Sequence, residues 1–460
     1  MCGIFGITGT RDASRLAYVG LFTLQHRGQE SAGIVTDDGS RLLQHTGMGL
    51  VNEVFNNEAL QRLEGTSAIG HIRYSTAGSS HITNAQPLVL NSSLGLVAVA
   101  HNGNLTNADE VKARLQKAGA IFQSSSDSEV ILHLAARYRG RTLEETLAKN
   151  LTKLTGAYSF LFMAPGKVIG ARDPYGYRPL VLGRLGRSYI LASETCAIEV
   201  AGGEVVREIE PGEMVAISGG KLKSLRFAKP KKFTRCIFEQ VYFARPDSVV
   251  AGRTVHKVRY EIGAMLAREL RGIKADIVSG VPDSGTVYAL GFSKESGIPY
   301  QGVFMRNHYT GRSFIQPDQR LREFTAHLKL SPIRDVIKGK TILIIDDSIV
   351  RGTTSRKIVS NLKKAGAGKV IMASASPPII SPCYFGIDIP TKRELIASRL
   401  SVERVRRYIG ADGLHYLTLP SLIDVCGNRS DRDFCVSCFS GKYNAGEAPR
   451  AGAGAGRMGL

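Results

Sequence analysis

The 460-residue sequence contains no apolar run long enough to cross a bilayer. Its longest runs, such as residues 341–345 (TILII), are the length of a strand, whereas a spanning helix needs about 20 apolar residues. The first residues, MCGIFGITG, lack the basic patch and extended apolar core of a secretory signal. A cytoplasmic protein without a membrane partner is therefore expected. Cysteine is scarce, with seven in the chain: Cys2, Cys196, Cys236, Cys383, Cys426, Cys435 and Cys438. In a cytosolic chain of this size that usage disfavours disulfides and adds weight to catalytic or metal-binding roles. No internal repeat is found, so a solenoid is not expected.

What is present describes a globular protein. Hydrophobic residues make up 43% and charged residues 22%, and the length implies two sizeable domains. Acidic residues are outnumbered, giving a formal net charge of +20, and the excess is uneven. Residues 1–230 carry 24 Lys and Arg against 20 Asp and Glu; residues 231–460 carry 36 against 20. If that charge is functional, the second half binds an anion, either nucleic acid or a polyphosphate substrate. A basic solvated surface is the simpler explanation of charge alone.

Along the chain, residues 1–230 read as short strands and Gly-rich turns with helices between them. Strands are expected at 2–8, 67–72, 94–100 and 158–163, and helices at 108–118 and 128–138, the latter capped by Ser128 or Asp127. The basic stretch 221–235 looks like a crossing between domains. From about residue 254 longer helices alternate with buried strands, which argues for a parallel sheet covered on both faces. The tail 444–460 is rich in Gly and Ala and is expected to be disordered.

Cys2 directly follows the initiator Met1, whose removal would leave a thiol and a free α-amine on one residue. Such an amine titrates near ~8 and can serve as base for its own side chain. Four further segments follow in order: QHRGQESAGI at 25–34, GHIRYST at 70–76, HNG at 101–103 and SSSDSE at 124–129. Together with MCGI this set closely resembles the class II glutamine amidotransferases. That implies an α+β N-terminal-nucleophile sandwich of four layers over 1–230, with Cys2 as nucleophile. Glutamine is zwitterionic at its α-carbon, so Arg73 suits the carboxylate and Asp127 the ammonium. The Asn102 side chain and the Gly103 N–H would form the oxyanion hole, and Arg27 and Gly28 would support the Cys2 strand from behind.

The segment TILIIDDSIVRGTT (341–354) is the most specific single motif. A buried strand delivers Asp346 and Asp347. A short loop then leads through Gly352, Thr353 and Thr354 into a helix whose free N–H groups suit a phosphate. This resembles the type I phosphoribosyltransferases over 231–443, an α/β domain. Asp346 and Asp347 would hold ribose hydroxyls and, with Ser284 from a second loop at 280–285 (GVPDSG), would neighbour Mg²⁺. The polar stretch 306–323 looks like the substrate-covering lid of the amidophosphoribosyltransferases.

Cys435-x-x-Cys438 is a metal-type pair. With Cys236 and Cys383 it offers four thiolates, which suit Zn²⁺ or a [4Fe–4S] cluster alike, and spacing alone favours zinc. The contexts RCIFEQVYFARPDS, SPCYFGIDIPT and FCVSCFSGKY resemble the iron–sulfur branch of the amidophosphoribosyltransferases, which implies a structural [4Fe–4S] cluster. Cys196 and Cys426 receive no role. The resemblance further implies glutamine and phosphoribosyl pyrophosphate as substrates, purine nucleotides as feedback inhibitors and a homotetramer, with no nucleic-acid partner. A glucosamine-phosphate synthase shares the glutaminase half but leaves IIDDSIVRGTT unexplained. A nucleic-acid-binding regulator would leave the glutaminase set without purpose.

Overall fold

The computed structural model describes residues 1–74, 80–231, 234–307, 330–389, 391–427 and 434–444. Gly3–Thr8 and Ser67–Arg73 are buried along their whole length and pair antiparallel at the centre of a seven-stranded sheet. A six-stranded antiparallel sheet, centred on Lys167–Arg172 and Gly156–Ala164 with Gly95–Leu105 next to them, lies against it. Ile4, Val35 and Ile69 from the first sheet meet Ala98, Ala100, Leu161 and Met163 from the second in one apolar layer.

Helices cover both outer faces. Ala13, Ala17 and Leu21 of the helix Ala13–Thr23 pack on Phe5, Ile7 and Ile34. On the other side the helices Ala108–Lys117, Glu129–Arg137 and Leu143–Leu151 turn Val111, Leu115, Val130, Leu134 and Leu147 onto Val99, Tyr158 and Phe160. The result is helix, sheet, sheet, helix. This four-layer arrangement is the one expected, and all four strands and both helices appear within a few residues of their expected places.

The second unit is built on four parallel strands in the order Ile277–Gly280, Thr341–Asp346, Lys369–Ser374 and Gly413–Tyr416. Such strands are buried on both faces, and TILIID reads accordingly as an unbroken apolar run. The helices Val255–Glu269 and Ser284–Ser296 cover one face; Thr353–Lys364 and Val402–Ile409 cover the other.

Two expectations change. Residues 221–226 are not part of a crossing: Lys221–Arg226 is the edge strand of the six-stranded sheet, paired with Glu213–Ser218. Its basic side chains sit where a charged edge discourages further strand pairing, so their charge was no sign of a linker. The crossing shortens to about residues 227–234. Ser128 does stand at the N-cap of Glu129–Arg137, but neither it nor Asp127 caps the helix through its side chain. Their oxygens are committed elsewhere, as described below. Residues 308–323 of the expected lid and 445–460 of the tail lie outside the described residues.

Candidate functional site

Cys2 is nearly buried at the head of its strand. Its thiol points to the carbonyl of Tyr74 at 3.7 Å, and its backbone N–H reaches Asn102 Oδ1 at 3.4 Å. Burial pushes the thiol upward in pKa; the Met1 α-amine, the Tyr74 backbone and Arg73 pull it back, while Asp127 opposes them. Strand pairing brings these groups together: Gly3 registers with Ile72, and Asn102 with Ser159 at the adjoining sheet.

Asn102 is fully buried, and its Nδ2 has no hydrogen-bond partner among the described residues. An unsatisfied buried donor costs about 1–3 kcal/mol, so folding leaves it ready for an incoming acceptor. Gly103 follows at φ +153°, and a Cβ there would stand 2.0 Å from the Ala157 carbonyl oxygen. No other residue fits. From the second unit Gly386 closes on the backbone of Gly103, where its own Cβ would fall 2.9 Å from the carbonyl carbon. Asn104 Nδ2 donates to the Tyr384 carbonyl at 2.9 Å and fastens that approach.

Arg73 is buried and ion-paired with Glu30, the last residue of QHRGQE before the strand Ser31–Asp37. Asp127 accepts the Leu105 N–H at 2.9 Å and a hydroxyl bond from Ser128 at 3.2 Å, with His101 Nδ1 3.6 Å away. Those contacts hold the carboxyl below its ordinary pKa despite burial. Both residues lie close enough to Cys2 for their charges to act on its thiol.

Arg27 does support the Cys2 strand: its Nε donates to the Cys2 carbonyl at 3.0 Å. The rest of its guanidinium is satisfied by Glu194 at 2.5 Å and by both oxygens of Glu239 at 2.9 Å. Gly28 lies so close to Arg73 that a Cβ would meet its backbone at 2.7 Å. Sequence reasoning missed Glu30, Glu194, Glu239 and Gly386. Glu30 was within reach, since it lies inside a quoted motif; the others sit far away in the chain.

The second site forms where two parallel strands end side by side, the usual position for a ligand crevice in such sheets. After Ile277–Gly280 the loop 280–285 folds tightly over the end of Thr341–Asp346: Val281 N–H donates to the Ile345 carbonyl at 2.8 Å. A Cβ on Gly285 would lie 2.2 Å from that same carbonyl oxygen. Asp346 and Asp347 are both buried at the strand end. Burial and the charge of Asp347 push Asp346 well above the ordinary carboxylate range. Asp347 is also raised by burial, partly offset by the Ser348 and Ser284 hydroxyls and by Arg259. The structure thus gathers Ser284, Asp346 and Asp347 at one point.

Gly352, at φ +74°, turns the chain into the helix Thr353–Lys364. That helix has no side-chain cap and no acidic residue in its first turn, and Thr353 and Thr354 are exposed there. Its first N–H groups and hydroxyls are available to an anion.

The segments that carry the four expected cluster cysteines adjoin one another. Cys236 and Cys435 are register partners in a short parallel pair. Ile380 and Ser381 donate to the Cys438 carbonyl at 2.9 and 3.1 Å, which brings the 383 segment alongside. The thiol of Cys438 feels Cys236, Cys435 and Cys383, and burial pushes Cys236 to about 12. Among the described residues no three His, Cys, Asp or Glu side chains are gathered closely enough to hold a single ion. Cys196 and Cys426 are buried elsewhere and free of disulfides.

Known proteins resemble the chain along nearly its whole length. A family model described as glutamine amidotransferase domain matches residues 71–200. The amidophosphoribosyltransferase of Bacillus subtilis is 48% identical over 446 residues, 96% of this chain and 94% of that protein. That of Methanocaldococcus jannaschii is 46% identical over 462 residues, 96% of this chain and 97% of the other. The solved glutamine phosphoribosylpyrophosphate amidotransferase from B. subtilis, complexed with ADP and GMP, superposes with a TM-score of 0.91 at 48% identity, covering 96% of this chain and 97% of that one. The two folds, the order of their motifs and these likenesses agree: the chain belongs to the amidophosphoribosyltransferases.

Proposed function

We propose that Cys2 and the Asp346–Asp347 loop divide the reaction between them. The chain is an amidophosphoribosyltransferase, moving the amide nitrogen of glutamine onto phosphoribosyl pyrophosphate. Glutamate, pyrophosphate and 5-phosphoribosylamine result, the first committed step of purine synthesis. The observation that carries the assignment of the first half to Cys2 is the buried, unpartnered Nδ2 of Asn102 beside it.

With Met1 removed, the α-amine of Cys2 takes the thiol proton, and the sulfur attacks the glutamine amide carbon. Asn102 Nδ2 and the Gly103 N–H receive the oxyanion. The α-amine returns its proton to the departing ammonia, and water then releases glutamate from the thioester. Arg73 and Asp127 hold the two charges of the substrate's α-carbon.

Ammonia then attacks the ribose carbon that bears pyrophosphate. Asp346 and Asp347 hold the ribose hydroxyls, the first turn of Thr353–Lys364 holds the 5′-phosphate, and loop 280–285 faces the pyrophosphate. Ser284, Asp346 and Asp347 form an oxygen-only set suited to Mg²⁺, which would neutralise charge on the departing pyrophosphate. The ADP and GMP in the B. subtilis structure support control by purine nucleotides. A homotetramer is the assembly we assign, on family resemblance. Pyrophosphate release should depend on phosphoribosyl pyrophosphate together with either glutamine or ammonia. Glutamine breakdown with no pyrophosphate released under either nitrogen source would reject this division.

Cys236, Cys383, Cys435 and Cys438 are assigned to a [4Fe–4S] cluster. The segments that carry them pack together, and their sequence contexts resemble the iron–sulfur branch of the family, which favours a [4Fe–4S] cluster over the zinc that four thiolates would suit equally. Anaerobically prepared protein should be brown and hold about four irons per chain. Stoichiometric zinc without iron would replace this assignment.

A further inference from the structure

The glutaminase half places one fully buried arginine, Arg178, beside the segments that carry the cysteines. Arg178 has no exposed surface, and among the described residues its Nε and Nη2 have no hydrogen-bond partner. Nη1 touches Met1 Sδ at 2.5 Å and Glu239 Oε1 at 3.4 Å. Glu239 already gives both oxygens to Arg27 at 2.9 Å, so it compensates Arg178 weakly. A buried cation with two idle donors is costly, and the remedy is a nearby anion that accepts hydrogen bonds.

The surroundings identify that anion. Ser159 Oγ and Arg172 Nε both donate to the Arg178 carbonyl, at 3.1 and 2.8 Å, and fix the backbone. The adjacent Tyr177 carbonyl accepts the Cys236 N–H at 3.3 Å. The Tyr177 ring stacks on Phe385, two residues beyond Cys383, with centroids 4.3 Å apart. Its hydroxyl meets Asn444 Nδ2 at 2.6 Å, on the segment that carries Cys435 and Cys438. All three cysteine-bearing segments thus surround residues 177 and 178. Burial lowers the Arg178 pKa, and the nearby Cys236, Glu239, Cys383 and Cys435 more than restore it.

We propose that Arg178 donates N–H···S hydrogen bonds from Nε and Nη2 to the sulfur atoms of the iron–sulfur cluster and supplies its counter-charge. This rests on the [4Fe–4S] assignment above. Four thiolates on such a cluster leave it net negative, and hydrogen bonds to sulfur are among the levers that set its properties. Arg178 is then a positioning residue, not a ligand. It also ends a buried chain, Arg178–Glu239–Arg27, whose last member holds the Cys2 carbonyl. The cluster and the nucleophile's strand share one network.

The test compares full-length wild type, Arg178→Gln and Arg178→Lys, all purified without oxygen. It measures iron per chain, the visible spectrum and the rate of iron release to a ferrous chelator. Loss of such an outer partner commonly weakens metal binding by about 10–100-fold, so the Gln variant should release iron roughly tenfold faster or more, with an altered spectrum. Lysine keeps the charge with fewer placed donors and should fall between. If the Gln variant does not fold, Arg178→Lys decides: intermediate release supports the proposal and wild-type release overturns it. Iron-loaded wild type with an Arg178→Gln variant that matches it in spectrum and release rate overturns the proposal while leaving the cluster intact. Iron-free wild type overturns the cluster assignment and this inference with it.

Discussion

Replacing Cys2 with alanine should abolish glutamine-dependent synthesis of phosphoribosylamine and leave synthesis from free ammonia largely intact. The thiol is the proposed nucleophile beside Asn102, and among the described residues its side chain points to the Tyr74 carbonyl at 3.7 Å. Removing a nucleophile that acts with its neighbours as a unit costs about 10⁴–10⁶ in turnover, far more than any loss of packing. The structural cost is small. Alanine keeps the strand, the Arg27 bond goes to the Cys2 backbone rather than its side chain, and a change of this kind typically costs about 1 kcal/mol. Nothing in loop 280–285 or in the Asp346–Asp347 loop touches Cys2, so the second half-reaction should proceed when ammonia is supplied. Both rates are measured on one preparation, with its thermal melt as control. Loss of the ammonia-dependent rate in a protein that melts like wild type would sink the two-site division.

The parts of this molecule that could be read from sequence are those whose chemistry is local. TILIIDDSIVRGTT names its strand, its paired carboxylates and its glycine-led helix start within fourteen residues, and the structure arranges them in that order. HNG likewise carries Asn102 and Gly103 on one strand, and the need for glycine there follows from the Ala157 carbonyl beside it. What sequence could not show is the wall behind these groups. Gly386 backs Gly103, and Glu239 ties Arg27 to Arg178, through pairings between residues far apart in the chain. No periodicity links such positions; only the docking of the two units does. The misread 221–226 stretch has a related cause. Lysines and arginines on an exposed edge strand look like a linker until the partner strand 213–218 is seen.

Changing both Asp346 and Asp347 to asparagine should remove pyrophosphate release with either nitrogen source, to below a few per cent of wild type, while slow glutamine breakdown at Cys2 persists. Asparagine keeps the size of each side chain but cannot supply the negative charge that Mg²⁺ and the ribose hydroxyls require. Unfolding cannot be the reason for that loss, because the substitutions should stabilise the unliganded protein. Burial raises both carboxyls above their unfolded values, and the charge of Asp347 raises Asp346 further. The folded state therefore holds protons more tightly than the unfolded state. The pair's penalty is absent below the ordinary carboxylate range near ~4 and grows as pH rises through the folded values. Wild type without ligands should thus lose more stability than the double variant between pH 5 and pH 8, and the variant should melt higher at pH 8. Mg²⁺ with phosphoribosyl pyrophosphate should raise the melting temperature of wild type alone, since only wild type can exchange its repulsion for a bound cation. Melts at the two pH values, with and without these ligands, read all of this in one experiment. Synthesis retained above a few per cent, or a variant that melts below wild type at pH 8, would remove these carboxylates from the centre of the second site.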